Sequence, residues 1–111
     1  MNNVKKQQLE EELYSRQVDI CKAFANPTRL RILDYVSQHP YDGSSLQRAL
    51  GVSMANLSQH LAVLRAAGVL TMQRKGRHVY CSLSIPEVKQ ACELIRNVLR
   101  AQIRNGRRLS F

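Results

Sequence analysis

The chain has 111 residues, 44% of them hydrophobic, and carries 17 Lys and Arg against 8 Asp and Glu, a formal net charge of +9. Such a length gives one domain spanning residues 1–111, with a modest core of the kind that often gains stability by pairing with a second copy. The charge disfavours a cationic partner and suits a polyanion, and no apolar run approaches the length of a bilayer span.

The polar start, MNNVKKQQLEEEL, lacks the apolar region of a signal peptide. The cysteines Cys21, Cys81 and Cys92 form no CxxC pair and are odd in number, so a cytoplasmic chain with reduced thiols is the simplest expectation. Residues 7–25 suit a first helix, with Leu9, Leu13, Ile20 and Phe24 on one face and Tyr14, Val18, Cys21 and Ala25 on an adjacent stripe. Asn26 can cap a second helix with Pro27 in its first turn; this helix runs to about Gln38 and is expected to bury Leu30, Leu33 and Val36. His39-Pro40 and Asp42-Gly43 punctuate a loop.

A third helix is predicted over about 44–50, ending at Gly51. Ser53 can cap a fourth that runs to about Ala67 and is stopped by Gly68. In it Leu57, Leu61 and Leu64 face the core, while Asn56, Gln59, His60 and Val63 lie opposite. Residues 69–84 alternate around a turn at Lys75-Gly76, with Val79, Cys81 and Leu83 pointing one way and His78, Tyr80 and Ser82 the other. Ser84 to Glu87 matches the capping box S-x-x-E and opens a last helix with the stripe Val88, Cys92, Ile95, Leu99 and Ile103. The tail NGRRLSF is read as mobile. The expected fold is mainly α with a β-hairpin wing: a winged helix-turn-helix of about five helices.

Residues 44–84 contain no acid but include Arg48, His60, Arg65, Arg74, Lys75, Arg77 and His78. Phosphates neutralised by such a stretch release condensed counterions, so double-stranded DNA is the natural partner. A recognition helix needs an apolar back and a polar front that meets base edges, and residues 53–67 have both. The short side chains of Ser53, Ala55 and Ser58 allow close approach. Asn56 and Gln59 can pair with adenine, and His60 is assigned to a phosphate. Arg74, Lys75 and Arg77, at the hairpin tip, can lie along or in a minor groove.

No Gly-rich phosphate loop, paired-carboxylate constellation or metal-ligand spacing is present, so neither enzymatic activity nor a cofactor or metal is expected. A winged helix that binds a partner protein is the other class to consider, but the basic front argues against it.

From Cys21 to Ile103 the chain resembles the ArsR/SmtB family of bacterial winged-helix repressors. The matching segments are KAFANPTRLRIL (22–33), LGVSMANLSQHLAVLRAAGVL (50–70) and RKGRHVYCSLS (74–84). The resemblance implies a homodimer built from the first and last helices. It also implies an operator contacted by residues 53–60, and release by an inducer, often a metal or metalloid; a two-fold dimer would set two recognition helices about one DNA turn apart and read an inverted repeat. Position 59 commonly holds arginine in the family and is Gln59 here. The family's cysteine metalloid site falls on Asp42, Ser44 and Gln47, and its zinc site on a last helix that has Glu87 and Glu93 but no histidine. Neither site carries over. Thiol chemistry at Cys21 and Cys92 remains, since the resemblance packs their helices at one interface. The inducer would then be an oxidant, reactive sulfur, or a metalloid bound at a non-standard site. Against this stands the reading that both cysteines are small core residues. Cys81 is assigned to strand core.

Overall fold

The structure is a computed structural model that describes residues 3–106. Helices α1 (Asn3–Phe24), α2 (Pro27–Gln38), α3 (Gly43–Leu50), α4 (Met54–Ala66) and α5 (Glu87–Arg104) surround strands β1 (Tyr41–Asp42), β2 (Leu70–Lys75) and β3 (His78–Leu83). The strands form one antiparallel sheet in the order β1-β3-β2, with Tyr41 opposite Cys81 and Met72 also opposite Cys81 on the other side. This is the winged helix-turn-helix expected from the sequence. Most of the tail NGRRLSF lies outside the described residues.

Local chemistry sets the element boundaries. Asn26 Oδ1 accepts from the Thr28 and Arg29 amides at 2.9 and 3.2 Å, and Pro27 opens α2 where its missing N–H costs nothing. Asp42 caps α3 by accepting from the Ser45 amide at 2.7 Å. The core gathers Ala23, Ile32, Leu33, Val36, Leu46, Leu50, Leu57, Leu61, Leu64, Val69, Leu70, Cys81 and Val88. Cys81 is completely buried, as its strand alternation implied.

Four local expectations need correction. Leu30 is 41% exposed, and Ile32 is fully buried in its place. At 3.6 residues per turn, the buried arc of Ile32, Leu33 and Val36 includes position 29 and leaves position 30 about 110° away. The loop predicted after α2 contains β1, whose two residues pair with β3; a strand this short leaves no periodicity to read. The hairpin turn is Gly76-Arg77, one residue later than expected, because Lys75 pairs with His78. Finally, Ser84 does not form a capping box. Its hydroxyl donates to the Gly68 carbonyl at 2.7 Å and its amide to the Val69 carbonyl at 3.1 Å, closing the base of the wing. α5 starts at Glu87 with Pro86 at its cap, which places Glu87 in the first helical position, not the third.

α1 and α5 stand apart from this core. Each buries one side chain, Ala23 and Val88 respectively. Leu9, Leu13, Tyr14 and Val18 on α1, with Leu94, Ile95, Val98, Leu99 and Ile103 on α5, remain 43–67% exposed. The radius of gyration is 16.9 Å, against about 13 Å for a compact domain of this length.

Candidate nucleic-acid interface

The turn between α3 and α4 orients the helix that carries the candidate base-reading residues. Gly51 adopts φ 68°, the left-handed region that glycine enters without a Cβ clash, and its amide donates to the Gln47 carbonyl at 2.9 Å. Two residues later Ser53 is extended, and its Oγ accepts from the Asn56 amide at 3.1 Å. Ser53 therefore fixes the start of α4. Leu57, Leu61 and Leu64 anchor the helix, each no more than 5% exposed.

Ser53, Ala55, Asn56, Ser58 and Gln59 are exposed. Asn56 with Gln59, and Ala55 with Ser58, are spaced three apart and so are neighbours on the helix surface. No acid occupies the first turn, which leaves the positive end of the helix dipole uncompensated and suited to a phosphate. Met54, absent from the sequence-based candidates, is 46% exposed at the first turn of α4.

His60 is less exposed than the helix-front residues beside it. It is half-buried, and its Nδ1 lies 3.2 Å from Arg29 Nη1 on α2. One edge of the imidazole is thus held within the protein. No periodicity marks Arg29 as its partner. The available signal was an arginine on the arc of α2 that also carries Ile32 and Val36.

The wing presents Arg74, Lys75 and Arg77, all exposed, around a two-residue turn in which Gly76 has φ 64°. A positive φ at this position suits the twist of a tight hairpin. Lys75 Nζ sits 5.9 Å from the Tyr80 ring centroid, a cation–π contact that steadies the side chain. The cationic wing and the polar helix front both lie on the surface; the ion pairs Glu12–Arg16 and Asp34–Arg96 use none of their side chains, whereas Asp42 Oδ2 approaches His78 Nδ1 on β3 at 3.8 Å.

All three cysteines are free. Cys21 is exposed beside a shallow hollow lined by Tyr14, Val18 and Lys22. Cys92 is half-buried in a hollow of about 260 Å³ between α2 and α5, near Asp34, Lys89 and Arg96. Burial, reinforced by the Asp34 charge, pushes the Cys92 thiol up despite Arg96. Burial also raises Cys81, with Asp42 adding to it. Among the described residues no group of His, Cys, Asp or Glu is arranged to hold a metal ion, and no helix is long and apolar enough to cross a membrane.

Residues 26–71 match the family model "Bacterial regulatory protein, arsR family". The chain is 34% identical over 90 residues to the HTH-type transcriptional regulator Rv0081 of Mycobacterium tuberculosis, covering 80% of this chain and 79% of that one. It is 36% identical over 81 residues to the transcriptional activator HlyU of Vibrio cholerae, covering 73% and 75%. The crystal structure of Rv0081 superposes with a TM-score of 0.78, covering 84% of this chain and 94% of that one at 31% identity. These relatives are transcriptional regulators and not enzymes. Sequence, fold and relatives agree: the chain belongs to the arsR family of bacterial regulatory proteins, and its winged helix-turn-helix is that of a DNA-binding transcriptional regulator.

Proposed function

We propose that the protein is a dimeric repressor that reads an inverted-repeat operator through α4 and is released by an inducer. The observation that carries this reading is the exposed front of α4, with Asn56, Ser58 and Gln59 free to meet base edges, standing beside the cationic wing of Arg74, Lys75 and Arg77. Asn56 and Gln59 read bases; Ser53 and Ala55 admit the phosphate backbone to the helix N-terminus; the wing cations contact the backbone or minor groove.

The apolar faces of α1 and α5 support a two-fold dimer. A single chain leaves them exposed, and burying them offsets the cost of holding two helices away from the core. Two copies of α4 then sit about one DNA turn apart. Cys21 and Cys92 lie on these same two helices. In the dimer a bridge between them would form as the thiols give two electrons and two protons to a peroxide-class oxidant. Such a bond would alter the spacing of the reading heads. Cys21, being exposed, is the accessible partner.

The test is selection of duplexes from a random pool, followed by gel shift with reduced and peroxide-treated protein. Recovery of an inverted repeat, with binding lost on oxidation, is expected. Unselective binding would remove the base-reading role. An undiminished shift by oxidised protein would leave the two cysteines as packing residues.

A further inference from the structure

One guanidinium joins three helices. Arg29 Nε donates to the Ala23 carbonyl at 2.7 Å and Nη2 to the Lys22 carbonyl at 3.1 Å, both in the last turn of α1. Its Nη1 meets His60 Nδ1 on α4 at 3.2 Å. We propose that Arg29 is a positioning residue for DNA recognition, one that sets the ring orientation and tautomer of His60 and ties α4 to the end of α1. This inference rests on the reading of α4 as the DNA-contacting helix.

Arginine has five N–H donors and no acceptor, so the contact requires His60 Nδ1 to accept. A neutral imidazole that accepts at Nδ1 carries its proton at Nε2. His60 then presents a single N–H, on the ring edge away from Arg29, fixed in direction by a planar fork that is itself held at two carbonyls. A phosphate oxygen or a base acceptor is the matching partner. Lysine could keep the charge at position 29 but not the geometry, because its ammonium lacks the rigid fork.

The clip has a second consequence. Ala25 and Asn26 alone connect α1 to α2, and the end of α1 is also held to α4 through Arg29. A displacement of α1 at the dimer interface therefore acts on the same guanidinium that orients His60.

Two measurements test this on the full chain. NMR of protein labelled with nitrogen-15 histidine should show His60 protonated at Nε2. An Nδ1-protonated His60 overturns the proposal. Affinity should then be compared on selected operator and on random DNA for the parent, Arg29→Lys, His60→Phe and the double variant. Arg29→Lys should lose roughly tenfold on operator, the scale of a hydrogen bond to a charged group, and much less on random DNA, since net charge is unchanged. The double variant should be no weaker than the weaker single variant. Equal losses on both DNAs, or losses that multiply in the double variant, overturn the positioning role. If Arg29→Lys does not fold, the tautomer and the His60→Phe operator-to-random ratio decide. A parent with no preference for any sequence would instead overturn the reading of α4, and the role of Arg29 with it.

Discussion

Asp42 Oδ2 lies 3.8 Å from His78 Nδ1, while Oδ1 of the same carboxylate accepts from the Ser45 amide at 2.7 Å. One acid thus caps the first helix of the helix-turn-helix and faces the residue of β3 that flanks the wing turn. The Ser45 hydrogen bonds, and then the charges of His78 and Arg48, hold the Asp42 carboxyl below its ordinary value. A carboxyl depressed in the folded state stabilises the fold above its unfolded pKa of about 3.9 and loses that contribution as pH falls through the lower folded value. Asp42→Ala should therefore lower Tm at neutral and mildly acidic pH, and the gap from the parent should close below the ordinary aspartate range. Thermal melts across a pH series check this; a gap that widens in acid would contradict it.

Leu57 is completely buried beneath α4, whereas Leu30 is 41% exposed. Leu57→Ala should destabilise by about 2–5 kcal/mol, the range for losing a core leucine. Leu30→Ala should stay within about 0.5 kcal/mol, as expected at a surface position. Urea unfolding of both variants separates the two, and a larger loss at Leu30 would contradict its placement.

Thiol reactivity should follow burial. Cys81 is enclosed and Cys92 half-enclosed, and both thiols are raised, so less of each is thiolate at neutral pH. Iodoacetamide at pH 7 should modify both more slowly than the same residues in urea-unfolded protein, and Cys81 more slowly than Cys92. Peptide mass spectrometry over time reads the order. Rapid native labelling of Cys81 would contradict the packed sheet.

Ile95 is 58% exposed on α5 and contributes little to the core of one chain. Ile95→Glu should leave the helix content of the chain intact and convert a dimer to monomer at micromolar concentration, since a charge placed in an apolar interface is left unpaired. Light scattering with circular dichroism checks both parts. A dimer that survives the substitution would place the interface elsewhere.

Much of this architecture was legible because its signals are local. Asn26, Ser53 and Gly51 mark helix ends by side-chain capping and by a left-handed turn, and Leu57, Leu61 and Leu64 mark an inner face by spacing alone. The misread positions depend on tertiary contacts. Ser84 has a capping sequence, but its hydroxyl is claimed by the Gly68 carbonyl, 16 residues away in the chain. β1 exists only because β3 offers it a partner. In the candidate site, exposure of Asn56 and Gln59 followed from helix period. The link from Arg29 to His60 crosses 31 positions of sequence and left no periodic trace.

In the proposed complex α4 reads bases while the wing supplies charge. Fluorescence anisotropy, measured across a salt series with a selected operator and a scrambled duplex, tests it most directly. Gln59→Ala should weaken operator binding by about 1–3 kcal/mol and leave the scrambled duplex nearly unaffected, as for a lost base contact. Arg77→Ala should weaken both duplexes alike and reduce the salt slope by about one unit, as for a lost phosphate contact. Equal losses on the two duplexes for Gln59→Ala, with the salt slope of Arg77→Ala unchanged, would contradict the account.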